Sequence, residues 1–458
     1  MASAIAPDGS TVDGFAFEGA LTVTYDGDAP IDAGIRVALE LPPTDDPDWL
    51  VPGVFYGENR PEACTRIYPR FTPTLDVERM ESSTWSFRAD RCATPAVFAR
   101  GGGLSTTERS PLGQAGVGFA YRDGRPVIWL DFPYREEPLR YDGSEHPAPP
   151  DVQTYTWEPG ETVTLDFEQH DGDWRRALRE LSVSETHASP AWVSVAEAAE
   201  LAAWGLFRWH YRAEPARLAE TIWFDATDER DAMHVSWVSG VPYAYALLLH
   251  GKRVGNDEYV HAAEAVLDHV AANRTPGGTF WAQWTAERGW ATGWHPDRTR
   301  LHARTLADAA LFMLRAGGRW EAAARANVDV ARRTQRGDGA LPAAHHVDTG
   351  DAVAWEGTAG LAWIPALVEA GHESEARRAA DYYKRFDVFY GAPEDVDLAP
   401  TSEDGYGAVM AFVAVEDWDA ARRAADWMLT FRYTYDVAFA DDTILGRHRF
   451  RTRGGDQA

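Results

Sequence analysis

The hydrophobic pattern divides the chain into a first part with strand periodicity and a second part with helical periodicity. In the first part, short segments alternate apolar and polar residues, as at 15–25, 34–41, 116–121 and 127–132. Asp-Gly and Pro-Gly pairs, which are typical of turns, separate these segments. At least seven short strands without a convincing helix predict an antiparallel β-sandwich over residues 1–172.

From residue 190 onwards the apolar positions follow a helical period, and a repeat is visible. Segments rich in alanine and arginine begin at Tyr259, Trp320, Ser374 and Trp418. Each follows a more apolar helix, predicted at 239–251, 304–317, 357–371 and 405–416. With a further helix at 193–211, this pattern indicates nine helices, and a linker with a short helix at 173–190 precedes them. Apolar helices that pack inward and amphipathic helices that face water predict an (α/α) toroid over residues 191–458.

The connections of the helical part alternate in length, which indicates where a binding site lies. The joins from an apolar helix to the following amphipathic helix are short, whereas the joins in the other direction are long. Loops above ~12–15 residues are usually functional or disordered, and these hold many aromatic residues. Long connections are at 212–236, 272–303, 335–356, 386–404 and 434–458. We expect all of them at one end of the helical domain, around a cleft at the N-termini of the apolar helices.

A β-sandwich followed by an (α/α) toroid resembles the six-hairpin glycosidase superfamily and its neighbours among polysaccharide lyases and epimerases. The resemblance implies a carbohydrate-active enzyme with an oligosaccharide or polysaccharide substrate. It rests on architecture, because no family signature matches residue by residue. The chain also departs from the pattern, since a closed ring of six hairpins has about twelve helices. After Thr434 the sequence has an extended pattern without a closing helix.

Composition narrows the classes of partner and the compartment. The 458 residues carry 71 acidic and 44 basic side chains, giving a formal charge of −27, and only Lys252 and Lys384 are lysine. A net negative charge of this size repels nucleic acids and anionic membranes. Together with the scarcity of lysine, it is typical of proteins from a high-salt cytoplasm. The first 21 residues show no secretory signal pattern, and the two cysteines favour a reducing compartment. The sequence predicts no cofactor and no metal, and leaves the oligomeric state open.

Carboxylates that directly precede the apolar helices are the candidate catalytic residues. Glycoside hydrolysis requires a protonated carboxyl group and a carboxylate across one cleft. We expect Glu356, beside Trp355, to act with the neighbouring Glu403 and Asp404, and Asp231 is a further candidate. Acidic residues are also ordinary caps of helix N-termini, so a purely structural role is the competing interpretation.

Aromatic and polar residues of the long connections are the candidate substrate-binding groups, because indole rings stack on the C–H faces of sugars. They are Trp281, Trp284, Trp290, Trp294 and Trp355, with His302, Arg304 and Tyr406 at the starts of apolar helices, and Tyr56, Glu58 and Arg60 in a loop of the first part. His302, Arg304 and Tyr406 also suit a uronic-acid lyase or epimerase, which needs a cation and a proton shuttle. A noncatalytic glycan-binding toroid is a third hypothesis.

Overall fold

The computed structural model describes residues 1–19, 21–62, 64, 67–141, 146–184, 193–220, 231–237, 239–293, 295–391 and 399–457. Backbone contacts divide the chain into two compact units. The first comprises Met1–Thr186 with Asp426–Ala458, and the second comprises His187–Ala425. The first holds the segments with strand periodicity, and the second holds most of the predicted helical hairpins.

Two larger antiparallel sheets form the first unit. One contains, in spatial order, Thr84–Arg88, Gly116–Arg122, Arg125–Phe132, Ile31–Glu40, Ala2–Ile5 and Thr11–Val12, with Tyr155–Trp157 also beside Ile31–Glu40. The other contains Phe167–His170, Gly102–Thr106, Ala96–Ala99, Leu50–Val51 and Phe55–Tyr56. Alternate residues point to opposite faces of a strand, so Ile35 and Val37 are buried. They share one hydrophobic core with Val97 and Leu104 of the second sheet.

Shorter ladders complete the strands of the first unit. A three-stranded sheet joins Thr162–Thr164, Thr22–Tyr25 and Phe15–Glu18. The remaining pairs are Arg109–Ser110 with Gly113–Gln114, Arg135–Glu136 with Asp151–Val152, Arg140–Tyr141 with Pro147–Ala148, and the parallel pair Arg70–Phe71 with Glu81–Ser82.

The C-terminal segment differs from the prediction, because it belongs to the first unit and not to the helical one. Residues 434–457 form no strand and contain one short helix, Ile444–Arg447. The Tyr435 hydroxyl is buried and donates to the carbonyl oxygens of Ala89 and Cys92, at 3.0 and 2.7 Å. The Thr434 amide donates to Ala93 at 3.0 Å. The predicted linker helix also packs in this unit, as α1, Trp174–Ser184. Residues 434–457 are therefore grouped with the strands and not with the helical hairpins.

The second unit contains α2, Val195–Gly205, followed by the predicted hairpins. Their helices are α3, Val241–Val254, with α4, Asp257–Ala272; α5, Ala303–Ala316, with α6, Glu321–Arg333; α7, Trp363–Glu369, with α8, Glu373–Tyr383; and α9, Ser402–Ala414, with α10, Trp418–Met428. A 3₁₀ turn at Ala359–Ala362 precedes α7, and α11, Ile444–Arg447, lies in the C-terminal segment. No helix in the described part of the chain has the length and hydropathy that crossing a bilayer requires.

The apolar helices pack side by side in the order α3, α5, α7 and α9. Burial is greatest in α5 and α7, as expected for the inner helices of a hairpin repeat. It is weaker in α3 and α9, where Tyr243, Leu249 and Val413 keep 40%, 50% and 40% of their surface exposed. The prediction that the inner helices are the more buried ones therefore holds best for α5 and α7, the two central helices of the four.

The described parts of four long connections contact one another beside the N-termini of the inner helices. Strands Ala232–His234, Gln283–Thr285 and Gly289–Ala291 form one sheet, and Arg300–His302, Ala344–His346 and Ala352–Ala354 form another. The Thr358 amide donates to the Tyr390 carbonyl at 2.9 Å and so joins the fourth connection. The first connection also carries the ladder Tyr211–Ala213 with Ala216–Leu218. Within these residues, the connections lie together as predicted.

Candidate active site

Arg304, in the first turn of α5, lies at the centre of a polar cluster between two inner helices. Its Nη1 donates to Glu403 Oε2 at 3.2 Å and its Nη2 to the Tyr406 hydroxyl at 2.6 Å. Both partners lie in the first two turns of α9. Its Nε donates to Asp308 Oδ2 at 3.4 Å, one turn further along α5. A single buried guanidinium therefore holds two carboxyl groups and a phenol together.

Trp237 adds a third element to this cluster, which we call the Arg304 cluster. Its indole N–H donates to the second carboxylate oxygen of Glu403, Oε1, at 2.5 Å. Trp237 lies in a tight turn before α3, closed by a 2.8 Å hydrogen bond from the Val241 amide to the Val235 carbonyl. Gly240 in this turn has φ +64°, and a Cβ there would approach the His234 oxygen to 2.1 Å. The turn thus requires glycine, and it aims the indole at Glu403.

The two carboxyl groups of the cluster have equal access to solvent but different surroundings. The side chains of Glu403 and Asp308 keep 20% and 21% of their surface exposed. Enclosure by protein raises the pKa of Asp308 above its usual value, and Arg304 only partly opposes this shift. Burial likewise raises the pKa of Tyr406, so its phenol is protonated at neutral pH. Asp308 therefore keeps its proton to a higher pH than an ordinary aspartate.

A small cavity of about 30 Å³ lies against both carboxyl groups. Arg304 and Tyr406 line it, together with Thr358 from the turn before α7. A buried water needs roughly 10–15 Å³ of such space and two or more polar partners. The cavity therefore has room for a water beside Asp308 and Glu403, whereas a sugar ring requires the solvent-exposed side of the cluster.

Asp404 and Glu356, the acid pair favoured by the sequence, differ from each other, because Asp404 also lines the small cavity beside Asp308 and Glu403, whereas Glu356 does not. The Asp404 carboxylate accepts hydrogen bonds from the Thr401 amide, at 3.2 Å, and from the Thr401 hydroxyl, at 3.1 Å. These bonds form a capping box at the start of α9. The Glu356 side chain is exposed and accepts from the Trp355 amide at 3.0 Å. Asp404 thus makes the contacts of a helix cap, which was the competing interpretation for an acidic residue at this position.

We expect Asp404→Ala to destabilise the chain by about 0.5–2 kcal/mol, because the first turn of α9 loses its cap. Urea unfolding at neutral pH measures this change. Asp419→Ala is the matched control, since Asp419 is in the first turn of α10 but is exposed and lies 3.4 Å from Arg422. An equal effect of the two substitutions would contradict the capping role.

The remaining carboxylate and two of the tryptophans make contacts away from the Arg304 cluster. Asp231 is exposed and pairs with Arg217 at 2.6 Å. The Arg217 guanidinium stacks over the Trp284 ring at 4.4 Å, and the Trp290 ring contacts His269 at 4.9 Å. One face of Trp284 is thus covered by protein. Trp281 and Trp355 are half-buried, and Trp294 lies outside the described residues.

Buried polar side chains lie behind Trp237. His234 and Gln283 face each other on neighbouring strands and are fully buried. The His234 ring contacts the Trp237 ring at 5.4 Å, and its Nε2 is 3.5 Å from Glu220 Oε1. His302, directly before α5, is buried as well. These residues support the turn and the start of α5 that carry the Arg304 cluster.

The three candidates from the first part of the chain make contacts within the first unit. The Tyr56 hydroxyl is 3.2 Å from Thr430 Oγ1, and burial raises the pKa of this tyrosine. Arg60 is buried and donates to the Tyr68 carbonyl at 2.7 Å. Glu58 is exposed, 3.6 Å from Arg70. Tyr56 and Arg60 therefore hold this loop in place.

Sequence reasoning missed two residues of the cluster, Asp308 and Trp237. Asp308 is a charged residue in the second turn of an otherwise apolar helix, four positions after Arg304. That spacing places both side chains on one helix face, which is the signal that identifies it. Trp237 lies just before α3. Glu356 and Glu403 were predicted as site residues because they lie at the corresponding positions before other predicted inner helices, so the same criterion identifies Trp237.

No family model and no curated protein matches the chain. Among solved structures, it is similar to a cellobiose 2-epimerase from Bacillus thermoamylovorans, with 11% identity and a TM-score of 0.40 over 53% of this chain and 75% of that one. A D-mannose isomerase shows 14% identity and a TM-score of 0.40, over 53% of this chain and 71% of the isomerase. A polysaccharide lyase shows 10% identity and a TM-score of 0.38, over 90% of this chain and 68% of the lyase.

The likeness to these three solved structures stands at 10–14% identity and at TM-scores of 0.38–0.40. It is a resemblance of fold, without a family signature. At these TM-scores it carries no argument about the reaction or the substrate of this chain.

Proposed function

We propose that this chain is a carbohydrate-active enzyme that hydrolyses glycosidic bonds at the Arg304 cluster. The observation that supports the proposal is the pair of carboxyl groups on one guanidinium. Asp308 has a raised pKa, whereas Glu403 accepts hydrogen bonds from two donors, Arg304 and Trp237. Two carboxyl groups in such different environments are what acid–base hydrolysis of a glycoside requires.

In the proposed reaction, protonated Asp308 donates its proton to the glycosidic oxygen as the bond from that oxygen to the anomeric carbon breaks. Glu403 takes a proton from a water, whose oxygen forms the new bond to the anomeric carbon. The cavity between the two carboxyl groups has the size that this water needs. Arg304 fixes both carboxyl groups, and the half-buried Trp237 ring offers an apolar surface to the sugar. Glu356, Trp281 and Trp355 remain proposed substrate contacts.

A uronic-acid lyase or epimerase is the second candidate, and the 2.6 Å contact between Arg304 and Tyr406 favours it. Such an enzyme needs a cation for the substrate carboxylate and a base for the adjacent C–H. Arg304 already has Asp308, Glu403 and Tyr406 as partners. The raised pKa of Tyr406 also makes it a poor base at neutral pH. Hydrolysis therefore has the stronger support.

The test is to incubate the full chain, in low and molar KCl, with neutral oligosaccharides and with oligogalacturonate. Two readouts are followed together, new reducing ends and the ultraviolet absorbance of unsaturated uronates. We expect reducing ends from a neutral oligosaccharide without that absorbance, and we expect Glu403→Gln to form them about 10²–10⁴-fold more slowly. Unsaturated uronates would identify a lyase instead, and the absence of both products from every glycan would contradict the proposal.

A further inference from the structure

The strand-rich first unit contains a second cavity of about 700 Å³. Pockets for small ligands usually measure ~300–1,000 Å³. Its lining comes from the end of strand Gly102–Thr106 and the residues after it, the start of strand Phe167–His170, α1 and the C-terminal segment. The lining residues are Thr94, Pro95, Ser105, Thr106, Thr107, Glu108, Arg109, Asp166, Phe167, Glu168, Leu181, Thr434, Tyr435, Asp436 and Arg453. All of them belong to the first unit.

Hydroxyl groups are the main chemical feature of this lining. Six of the fifteen residues carry one, and Thr94, Ser105, Thr434 and Tyr435 among them are buried. Two of these hydroxyls have fixed positions, since Ser105 Oγ lies 2.7 Å from His170 Nε2 and the Tyr435 hydroxyl donates to two backbone carbonyls. A hydroxyl that donates one hydrogen bond still has lone pairs with which it accepts others. The lining can therefore accept bonds from a ligand that is rich in O–H groups.

The charged and aromatic side chains of the lining further restrict the class of ligand that can bind in this cavity. Four carboxylates line the cavity against two arginines, and one of these, Arg109, is already paired with Glu108 at 3.2 Å. This balance disfavours anionic ligands. No group of three or more possible metal-ligating side chains is found in the described part of the chain. Half-buried Phe167 packs against the hydrophobic core of the unit and also lines the cavity, so the part of its ring that is not covered offers a surface to a C–H face.

We propose that this cavity is a binding site for a neutral oligosaccharide, distinct from the Arg304 cluster. An oligosaccharide combines many hydroxyl groups with apolar C–H faces and carries no charge, so it matches the hydroxyls, the aromatic side chain and the acidic rim together. The site contains none of the residues proposed for hydrolysis. It goes beyond the proposed function and does not depend on it.

The test uses isothermal titration calorimetry of full-length Glu403→Gln, which suppresses turnover, with cellohexaose, xylohexaose, mannohexaose and maltohexaose. We expect at least one of them to bind here, and oligogalacturonate to bind at least about tenfold more weakly. Adding Phe167→Ala removes one binding site or weakens it at least about tenfold. Thr107→Trp, at the exposed rim, has the same effect by occluding the cavity without altering the core.

Phe17→Ala is the matched control, because Phe17 is also a half-buried phenylalanine of the first unit but does not line the cavity. Equal binding by the Phe17, Phe167 and Thr107 variants would overturn the proposal, as would the absence of binding by all four probes. If hydrolysis at the Arg304 cluster is wrong but this site is real, Glu403→Gln still binds, and Phe167→Ala still weakens that binding. The two proposals therefore fail separately.

Discussion

We expect Glu403→Gln to lower kcat by about 10²–10⁴-fold while the chain stays folded, because general acid–base catalysis contributes that much. The amide keeps the shape of the carboxylate, but its single oxygen can accept from only one of the two donors, Arg304 and Trp237. It cannot take the proton of the attacking water. Turnover of the oligosaccharide identified in the glycan panel measures the effect, and circular dichroism checks the fold.

Glu369→Gln is the control for this substitution. Glu369 is the last residue of α7, at the opposite end of the helix from the Arg304 cluster, and pairs with Arg315 at 3.4 Å on the surface. Exposed ion pairs contribute only ~0–1 kcal/mol. We expect full turnover from this variant. Full turnover from Glu403→Gln would remove Glu403 from the mechanism.

Asp308→Asn tests the partner carboxyl group, and we expect a similar loss of turnover without a loss of stability. A carboxyl group whose folded-state pKa is raised binds more protons in the native than in the unfolded state. Its contribution to stability therefore falls as the pH rises from its ordinary pKa through the raised one. The neutral amide removes this penalty, so Tm at pH 7 stays the same or rises. In the wild type, kcat/KM declines as the pH rises through the raised pKa.

The half-buried pair of Asp329 and Arg332 on α6 supplies the control Asp329→Asn, for which we expect wild-type turnover and pH profile. A merely structural Asp308 would give the opposite outcome, with a lower Tm and normal turnover. If the residual activity of Asp308→Asn shows the same decline of kcat/KM with rising pH as the wild type, another group donates the proton.

The helical hairpins were predictable because an inner helix repeats its apolar residues with the period of the helix itself. The predicted 304–317 is observed as Ala303–Ala316, and 239–251 as Val241–Val254. The C-terminal segment was assigned to the wrong unit because an extended pattern does not state which core it covers. Contacts in the folded chain, such as those of Tyr435 with Ala89 and Cys92 and of Thr434 with Ala93, establish that.

The starts of the inner helices were predictable as the place of the cluster, but the roles of adjacent residues were not. Glu403 and Asp404 differ by one position, and one position is about 100° around a helix. Glu403 therefore faces Arg304, while Asp404 turns back to cap the helix at Thr401. Sequence alone does not fix this rotation, because both residues are acidic and both lie in the first turn.

A buried asparagine on α6 connects one long connection to the helices, and its loss should have a large effect on stability. Asn327 is fully buried. Its Oδ1 accepts from the Phe280 amide at 3.1 Å, and its Nδ2 donates to the Leu306 carbonyl at 2.8 Å. It thus joins the connection at 272–303 to α5, the helix that carries Arg304 and Asp308.

We expect Asn327→Ala to lower the free energy of unfolding by about 1–3 kcal/mol, because it leaves the buried Phe280 amide without a partner, whereas the Leu306 carbonyl lies within α5. Domains are stable by only ~5–15 kcal/mol, so this loss is a large fraction of the total. Urea unfolding measures it, and hydrogen exchange at the Phe280 amide shows whether the connection opens. Asn273→Ala is the control, because Asn273 is half-buried and donates to the His269 carbonyl at the end of α4. If both variants lose the same stability and keep the same protection of Phe280, Asn327 does not anchor the connection.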